Sequence, residues 1–379
     1  MLRHTARAAL AALLALAALG AAPAAWSACA DMGGGVGGTG AVAKGGVGGT
    51  GAPTTIGVVG VITEFASVCV NGLEIHYDDG TPVTINGQPG SAKQLALGQV
   101  VAVEAQASAG RLAARSIAVL RVLEGPVTRV DAAADTLFVM EQAVRVTDET
   151  RVAAPKPRLA ALQPGMTVHV SGYRNARGDI VASRIDVGRP DDGHSAIGRM
   201  SQSDERTGEI GSLSVSLGDA RLPGEGDVVV RGRWDGKRLR ATAVVEDPAM
   251  RLLGRVDRAV VESLVREARR GDSLRVGELQ VRIGRGTRID GDPQVDQRVR
   301  VTGIPDRRSG IAAERIEVPR PERARSGVPG GRTDRGPRER TDTSGPDRLE
   351  RIERPDNSGP GRVERPERSD RSGSNSGRH

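Results

Sequence analysis

Three patterns in the chain hold residue types that could do chemistry. The first is glycine. Residues 33 to 51 read GGGVGGTGAVAKGGVGGTG, and the spacing G-x-G-x-x-G occurs at Gly35, Gly37, Gly40 and again at Gly46, Gly48, Gly51. Such a loop cradles a pyrophosphate when a strand precedes it, a helix opens at its last glycine and an acidic residue about 20 positions on holds a ribose. Here an Ala-rich leader precedes the run, and APTT and a β-like stretch follow, so no helix N-terminus is available to the phosphate. The run reads as a flexible tether.

The second pattern is LEIHYDD. Strand alternation puts Glu74, His76 and Asp78 on one face and Leu73, Ile75 and Tyr77 on the other, so the polar trio could ligate a divalent metal. A solvated strand face explains the same alternation, and no later part of the chain repeats the trio, so the expectation is no metal centre and no cofactor. His169 alternates with Val168 and Val170 and has no evident partner. The third pattern is the cysteines. There are 2, Cys29 and Cys69, too few for a disulfide framework or a zinc site. No G-x-S-x-G elbow, C-x-x-C pair or H-E-x-x-H helix occurs. RGD at Arg177 to Asp179 and RGDS at Arg270 to Ser273 read as turns. No shared catalytic constellation emerges, and the chain is expected not to be an enzyme.

The elements around these residues are more informative. Residues 1–30 have the form of a signal peptide: Arg3, His4 and Arg7, then an apolar stretch from Ala8 to Ala22, then small residues at Ala25, Ser27, Ala28 and Ala30. The apolar stretch is shorter than the roughly 20 residues that a membrane helix needs, so no transmembrane span is expected. Export to the periplasm or the medium follows. Cleavage after Ala30 is slightly favoured and would discard Cys29. Lipoprotein processing at WSAC would instead acylate Cys29, although Trp26 stands where Leu is usual. A Cys29 to Cys69 disulfide is a third course in an oxidising compartment.

After a Gly-rich linker over 31–55, the chain repeats itself. GRLAARSIAV, GDIVASRIDV, KRLRATAVVE and GIAAERIEV end at Val119, Val187, Glu246 and Val318. Each carries an alanine (Ala114, Ala182, Ala241, Ala313) and then a β-branched residue (Ile117, Ile185, Val244, Ile316). A partner run lies upstream in each: LGQVVAVEA, PGMTVHVSG, EGDVVVRGR and DQRVRVTG. Alternation and glycine punctuation make each pair a closing hairpin. Further upstream lies an opening strand with a glycine at Gly60, Gly125, Gly198 or Gly254. Four modules follow, over 56–120, 121–190, 191–250 and 251–318. The third is shortened in its middle, and the fourth has an insertion near VESLVREARRGDS. SAKQLAL and PRLAAL are helix candidates in the first two.

About five strands per module predict an all-β protein of tandem small OB-like β-barrels, because closure removes sheet edges. With aromatics at 2%, the interiors must be built from Val, Ile, Leu and Ala. The GVGGTG tether, followed by GVITEF, SVCVNGLEI, LALGQVVAVEA and GRLAARSIAV and then by GPVTRV, LQPGMTVHVSG and GDIVASRIDV, resembles bacterial exported modules known as domain of unknown function 5666. That resemblance implies a fold and an exported setting, and no catalytic residues to carry over.

Charge narrows the partners. The net +7 is not spread evenly: residues 54 to 318 hold 36 basic against 35 acidic side chains, with a +4 excess in the fourth module. The tail over 319–379 adds 15 basic against 11 acidic in a nearly apolar-free composition expected to be disordered. OB barrels that bind single strands use aromatic platforms and a basic groove, whereas Phe65, Tyr77, Phe138, Tyr173 and Trp234 are scattered here, so nucleic acid is disfavoured. The expected role is structural or interactive in the cell envelope, with an envelope protein as partner. The alternative is a polyanion or polysaccharide, held by the basic C-terminal end.

Overall fold

The computed structural model describes residue 29 and residues 54–319, apart from 66, 109–110, 154–158, 191, 225 and 307–309. The expected signal peptide apart from Cys29, and the expected disordered tail apart from Pro319, lie outside the described residues, as does nearly all of the Gly-rich linker.

The first module contains β1 (Thr54–Phe65), β2 (Val68–Val70), β3 (Leu73–His76), β4 (Val83–Ile85), β5 (Gln88–Gly90), β6 (Val100–Ser108) and β7 (Arg111–Leu120). The second contains β8 (Leu123–Asp131), β9 (Thr136–Val139), β10 (Gln142–Arg145), β11 (Arg151–Ala153), β12 (Thr167–Arg174) and β13 (Ile180–Val187). The third has β14 (His194–Gln202), β15 (Thr207–Ile210), β16 (Leu213–Ser216), β17 (Asp227–Trp234) and β18 (Leu239–Glu246). After the helix α1 (Pro248–Leu253), the fourth has β19 (Arg258–Arg270), β20 (Ser273–Val276), β21 (Leu279–Asp290), β22 (Arg298–Pro305) and β23 (Gly310–Glu317).

Every module closes into a five-stranded barrel. In the first, β1 pairs β2, β2 pairs β3, β3 runs parallel to β7, β7 pairs β6, and β6 returns to β1. The same ring recurs as β8-β9-β10-β13-β12, as β14-β15-β16-β18-β17 and as β19-β20-β21-β23-β22. This is the OB arrangement expected from the repeat. The repeated β-branched residues fill the barrels: Ile117, Ile185 and Ile316 are at most 1% exposed, and Val244 packs half-buried against the same kind of core.

The repeated alanine has a local cause. In each closing hairpin the register slips by one residue, and the slip faces that alanine: Ala105↔Ala114, Gly172↔Ala182, Gly232↔Ala241 and Gly303↔Ala313. A bulge bends the strand so that the sheet can close. The backbones approach so closely there that a Cβ on Gly232 would lie 1.9 Å from the Arg240 carbonyl oxygen.

Three expectations need correction. The helix candidates are single 3-10 turns, Ala92–Gln94 and Leu159–Ala161, too short to bury an apolar stripe. The fourth module has no inserted element. Its extra residues lengthen β19 to 13, with register shifts between Val265 and Arg270. Its opening glycine is not Gly254, which ends α1, because Ser263 takes the place of Gly60, Gly125 and Gly198. That place lies beneath a hairpin turn: a Cβ on Gly60 would meet Asn71 Oδ1 at 2.2 Å, and one on Gly125 would meet Met140 Sδ at 2.7 Å. In the fourth barrel the glycine moves across the contact to Gly277, whose added Cβ would meet Ser263 Oγ at 2.9 Å. In the third module no strand or helix lies between Ser216 and Asp227 among the described residues.

The modules are not strung out in line. Strand β1 pairs in parallel with β19, Ile56↔Arg258 through Val59↔Val261, so the first barrel joins the last. Strand β8 pairs with β14 at Ser195↔Glu124 and Ala196↔Leu123, joining the second to the third. The link at Asp247 is a capped helix: Pro248 opens α1, Asp247 Oδ1 accepts from Ala249 N at 2.9 Å, and Ala249, Leu252 and Leu253 are buried. Leu252 and Val256 lie over Gly57 of β1, where any larger residue would push them away.

Candidate functional site

The metal trio does not assemble. Strand β3 ends at His76, so Asp78 falls in a turn, where its Oδ1 accepts from Gly80 N and Thr81 Oγ1, each at 3.0 Å. Glu74 Oε1 accepts from Ser67 Oγ at 2.8 Å. Among the described residues no three His, Cys, Asp or Glu side chains are grouped to hold a metal ion. His169 has the partner that the sequence did not reveal: its Nε2 lies 3.1 Å from Asp192 Oδ2, and burial lowers its pKa with help from Arg121. Both RGD sequences sit in hairpin turns, with Gly178 and Gly271 at positive φ.

Cys29 takes the third of its possible courses. Its sulfur is bonded to that of Cys69, with the Cα atoms 5.8 Å apart, and Cys69 lies buried in the middle of β2. A chain starting after Ala30 would leave Cys69 without this partner, and a disulfide sulfur is not free to be acylated.

Two Asn-Gly turns of the first barrel do more than reverse the chain. At both, the asparagine and the glycine have positive φ, 56° and 73° at Asn71-Gly72 and 45° and 78° at Asn86-Gly87, which is the hairpin turn that Asn-Gly favours. Asn71 Nδ2 donates to Val59 O at 2.9 Å and to Val260 O of the fourth barrel at 3.3 Å. The Asn86 amide lies 2.9 Å from Arg121 O, 3.0 Å from Glu124 Oε2 and 2.9 Å from Ser195 Oγ, while its Oδ1 accepts from Arg121 N. Ser195 Oγ in turn donates to Glu124 at 2.5 Å. These turn residues clamp barrels to one another.

Where the four barrels meet there is a cavity of about 120 Å³. Each barrel contributes wall: Val59 and Leu120 from the first, Tyr173 and Arg174 from the second, Ile197 and Asp227 from the third, and Glu262, Arg266 and Leu279 from the fourth. Met250 of α1 covers another side. The wall combines aliphatic side chains with the titratable groups of Tyr173, Arg174, Asp227, Asp247, Glu262, Arg266 and Glu278. Tyr173 Oη donates to Glu262 Oε1 at 3.4 Å, and burial pushes the phenol well above its usual pKa. Burial raises Glu262 as well, against the pull of Arg298 and Arg300. The Asp227 carboxyl is pushed up to about 6 by burial, although Arg199, Arg174 and Arg266 oppose the shift. Asp247 is pushed up to about 7 by burial and by the charge of Asp227.

Arginines stand opposite these acids. Arg174 Nε donates to Ile197 O at 3.0 Å, and its Nη1 to Gln142 Oε1 at 2.7 Å and Gly178 O at 3.0 Å. Its Nη2 is buried without a partner, as is Asp227 Oδ1. Burial lowers Arg174 to about 10. Glu278 binds Arg266 and lies 3.3 Å from Arg199, tying the third barrel to the fourth. A neighbouring cleft lined by Arg199 and Arg275 shares Arg174, Arg266 and Glu278 with the wall of the cavity.

Three stretches of the chain, residues 57–118, 124–186 and 259–317, match the family described as Domain of unknown function (DUF5666). The chain carries three repeats of this domain. No curated protein matches its sequence. The three DUF5666 stretches coincide with the first, second and fourth barrels. The third barrel lies outside them although it closes in the same strand order. Asp227 and Asp247 therefore belong to the part of the chain that departs from DUF5666, while Tyr173, Arg174, Glu262 and Arg266 fall inside its matched stretches.

Proposed function

We propose that the protein is exported to the bacterial cell envelope and works there without chemistry of its own, as a rigid interaction platform of four DUF5666-type barrels. The observation that carries this reading is the use made of its polar side chains at the barrel junctions. Asn71, Asn86, Ser195, Arg174, Glu278 and the Tyr173–Glu262 pair hold one barrel to another. None of the described contacts sets a hydroxyl or thiol nucleophile against an imidazole base.

The disulfide supports the exported setting, since such bonds persist in oxidising compartments. It also favours processing ahead of Cys29, and Ala22-Pro23-Ala24 offers small residues at the third and first positions before a cut at Ala25. Mass measurement of the protein from a periplasmic extract, alkylated with and without reductant, tests this. The expected result is a chain that retains Cys29 and takes up alkyl groups at two cysteines only after reduction. A diacylglyceryl mass on Cys29, or a chain starting at Asp31, would refute it.

The polyanion alternative draws less support from the geometry. Much of the basic charge of the fourth barrel is neutralised locally: Arg258 pairs with Glu314, Arg275 with Glu267, Arg282 with Asp306, and Arg315 with Asp290 and Glu317. Binding of the full mature chain and of a chain ending at Val318 to lipopolysaccharide and to a generic polyanion, across a salt series, separates the readings. The platform reading expects weak binding without a steep salt dependence. Strong binding that collapses with salt and weakens without the tail would replace it with the polyanion reading.

A further inference from the structure

The cavity at the barrel junction combines two features that a purely structural junction does not need. One is an open aliphatic space in the interior of the protein, about 120 Å³ in volume. Interiors pack to crystal-like density with few voids larger than a water molecule, and an apolar cavity of roughly 150 Å³ is enough to hold benzene. The other is a set of buried charged groups in its wall, Arg174 and Arg266 with Asp227, Asp247, Glu262 and Glu278, of which burial raises the first three acids toward the neutral form. Arg174, Arg199 and Arg266 converge from three barrels, with Glu278 as the carboxylate paired to the last two. Buried N–H groups in folded proteins are almost always satisfied, yet Arg174 Nη2 has no partner.

We infer that this cavity is a binding site for a small amphiphilic anion, a carboxylate carrying an aliphatic chain of about six carbons. The chain lies against Leu120, Ile197, Met250 and Leu279, and the carboxylate accepts from Arg174 and Arg266. The cleft past Arg199 and Arg275 is the way in, and its cationic lining draws an anion toward the mouth. A cation is disfavoured, because three of the four carboxyls in the wall are engaged: Glu262 accepts from Tyr173, Asp247 caps α1, and Glu278 pairs with Arg199 and Arg266. The fourth, Asp227, has an unpartnered Oδ1 but stands among three arginines. With its carboxyl held partly protonated near pH 6, Asp227 offers an O–H to a ligand carboxylate rather than repelling it. The inference goes beyond the platform reading and stands apart from it, since an envelope platform needs no ligand in its centre.

The test is calorimetric titration of the oxidised mature protein with hexanoate, with hexylammonium and with acetate, each up to about 10 mM. Hexanoate is expected to bind, acetate to bind at least about tenfold more weakly for want of a chain, and hexylammonium not to bind. Arg266→Gln, which leaves Glu278 its contact with Arg199, is expected to weaken hexanoate about tenfold. Met250→Trp, which fills the cavity, is expected to abolish binding. Circular dichroism melts show whether each variant is folded, and if neither is, selectivity among the three probes on the unmodified protein decides. Absence of hexanoate binding, equal or tighter binding of hexylammonium, or unchanged binding in a folded Met250→Trp protein would overturn the inference. None of these outcomes bears on the disulfide or on export.

Discussion

Asp247 holds the first turn of α1 and is buried beside a second carboxyl, so its charge state is coupled to the stability of the whole junction. Unfolded, it titrates near 3.9, and in the folded protein burial pushes it up to about 7. Between those values the native state holds the proton more tightly, so its contribution to stability falls as pH rises. Asp247→Asn keeps an N-cap acceptor and removes the buried charge. At about pH 8 the variant should melt several degrees higher than the unmodified protein, and at about pH 4 the two should coincide. Burial depresses His169 and His194, whose effect has the opposite sign and appears below about 6.5, but it is common to both proteins and cancels in the difference. A variant that melts lower at pH 8 would show that the charge, not the cap, is wanted. Asn86 is a second test at this scale. Asn86→Ala removes buried hydrogen bonds spanning three barrels and should lower stability by about 3 kcal/mol in denaturant titration, where an ordinary turn residue would lose under about 1 kcal/mol. The Asn-Gly pair is legible in the sequence as a turn. The acceptors of its amide come from Arg121, Glu124 and Ser195, as far as 109 positions away, and no local pattern points to them.

At the scale of the element, the closing hairpins explain what the repeat encodes. The alanines at Ala114, Ala182, Ala241 and Ala313 are visible in the sequence as a recurring mark, and their cause is the bulge that each one faces. Gly232→Val sets a side chain against the Arg240 carbonyl oxygen and should open the third barrel, with a loss of about 3 kcal/mol or more in thermal or denaturant melts. Gly193→Ala, which meets nothing within 4 Å, should stay within about 0.5 kcal/mol and serves as the contrast. Equal effects at the two sites would mean that chain flexibility, not close approach, governs these glycines. Strand identity and order were readable because alternation and glycine punctuation are local signals. The length of β19 was not, because a bulged strand and an inserted loop give the same surplus of residues. The junction acids escaped notice for a similar reason: Asp227 opens a strand and Asp247 caps a short helix, and either position is an ordinary one for an aspartate on a surface.

For the whole molecule, the pairing of β1 with β19 turns four small barrels into one body with a cluster of buried side chains drawn from all four. One cooperative thermal transition is therefore expected where a string of independent barrels would give several. Ending the chain at Glu246 removes the partner of β1 and the cover over Gly57, and the shortened protein should aggregate or melt broadly in size-exclusion and calorimetric measurements. A monomer with a sharp transition would show that the first barrel does not depend on the last. The same pairing sets a timetable for biogenesis. Ile56 and its partner Arg258 are separated by some two hundred residues, so at roughly 5–20 residues per second the first barrel waits tens of seconds for its neighbour to be made. During that interval the edge of β1 at Ile56 to Val59 is an unpaired template for other strands, and the growing chain must be kept from closing on the wrong one.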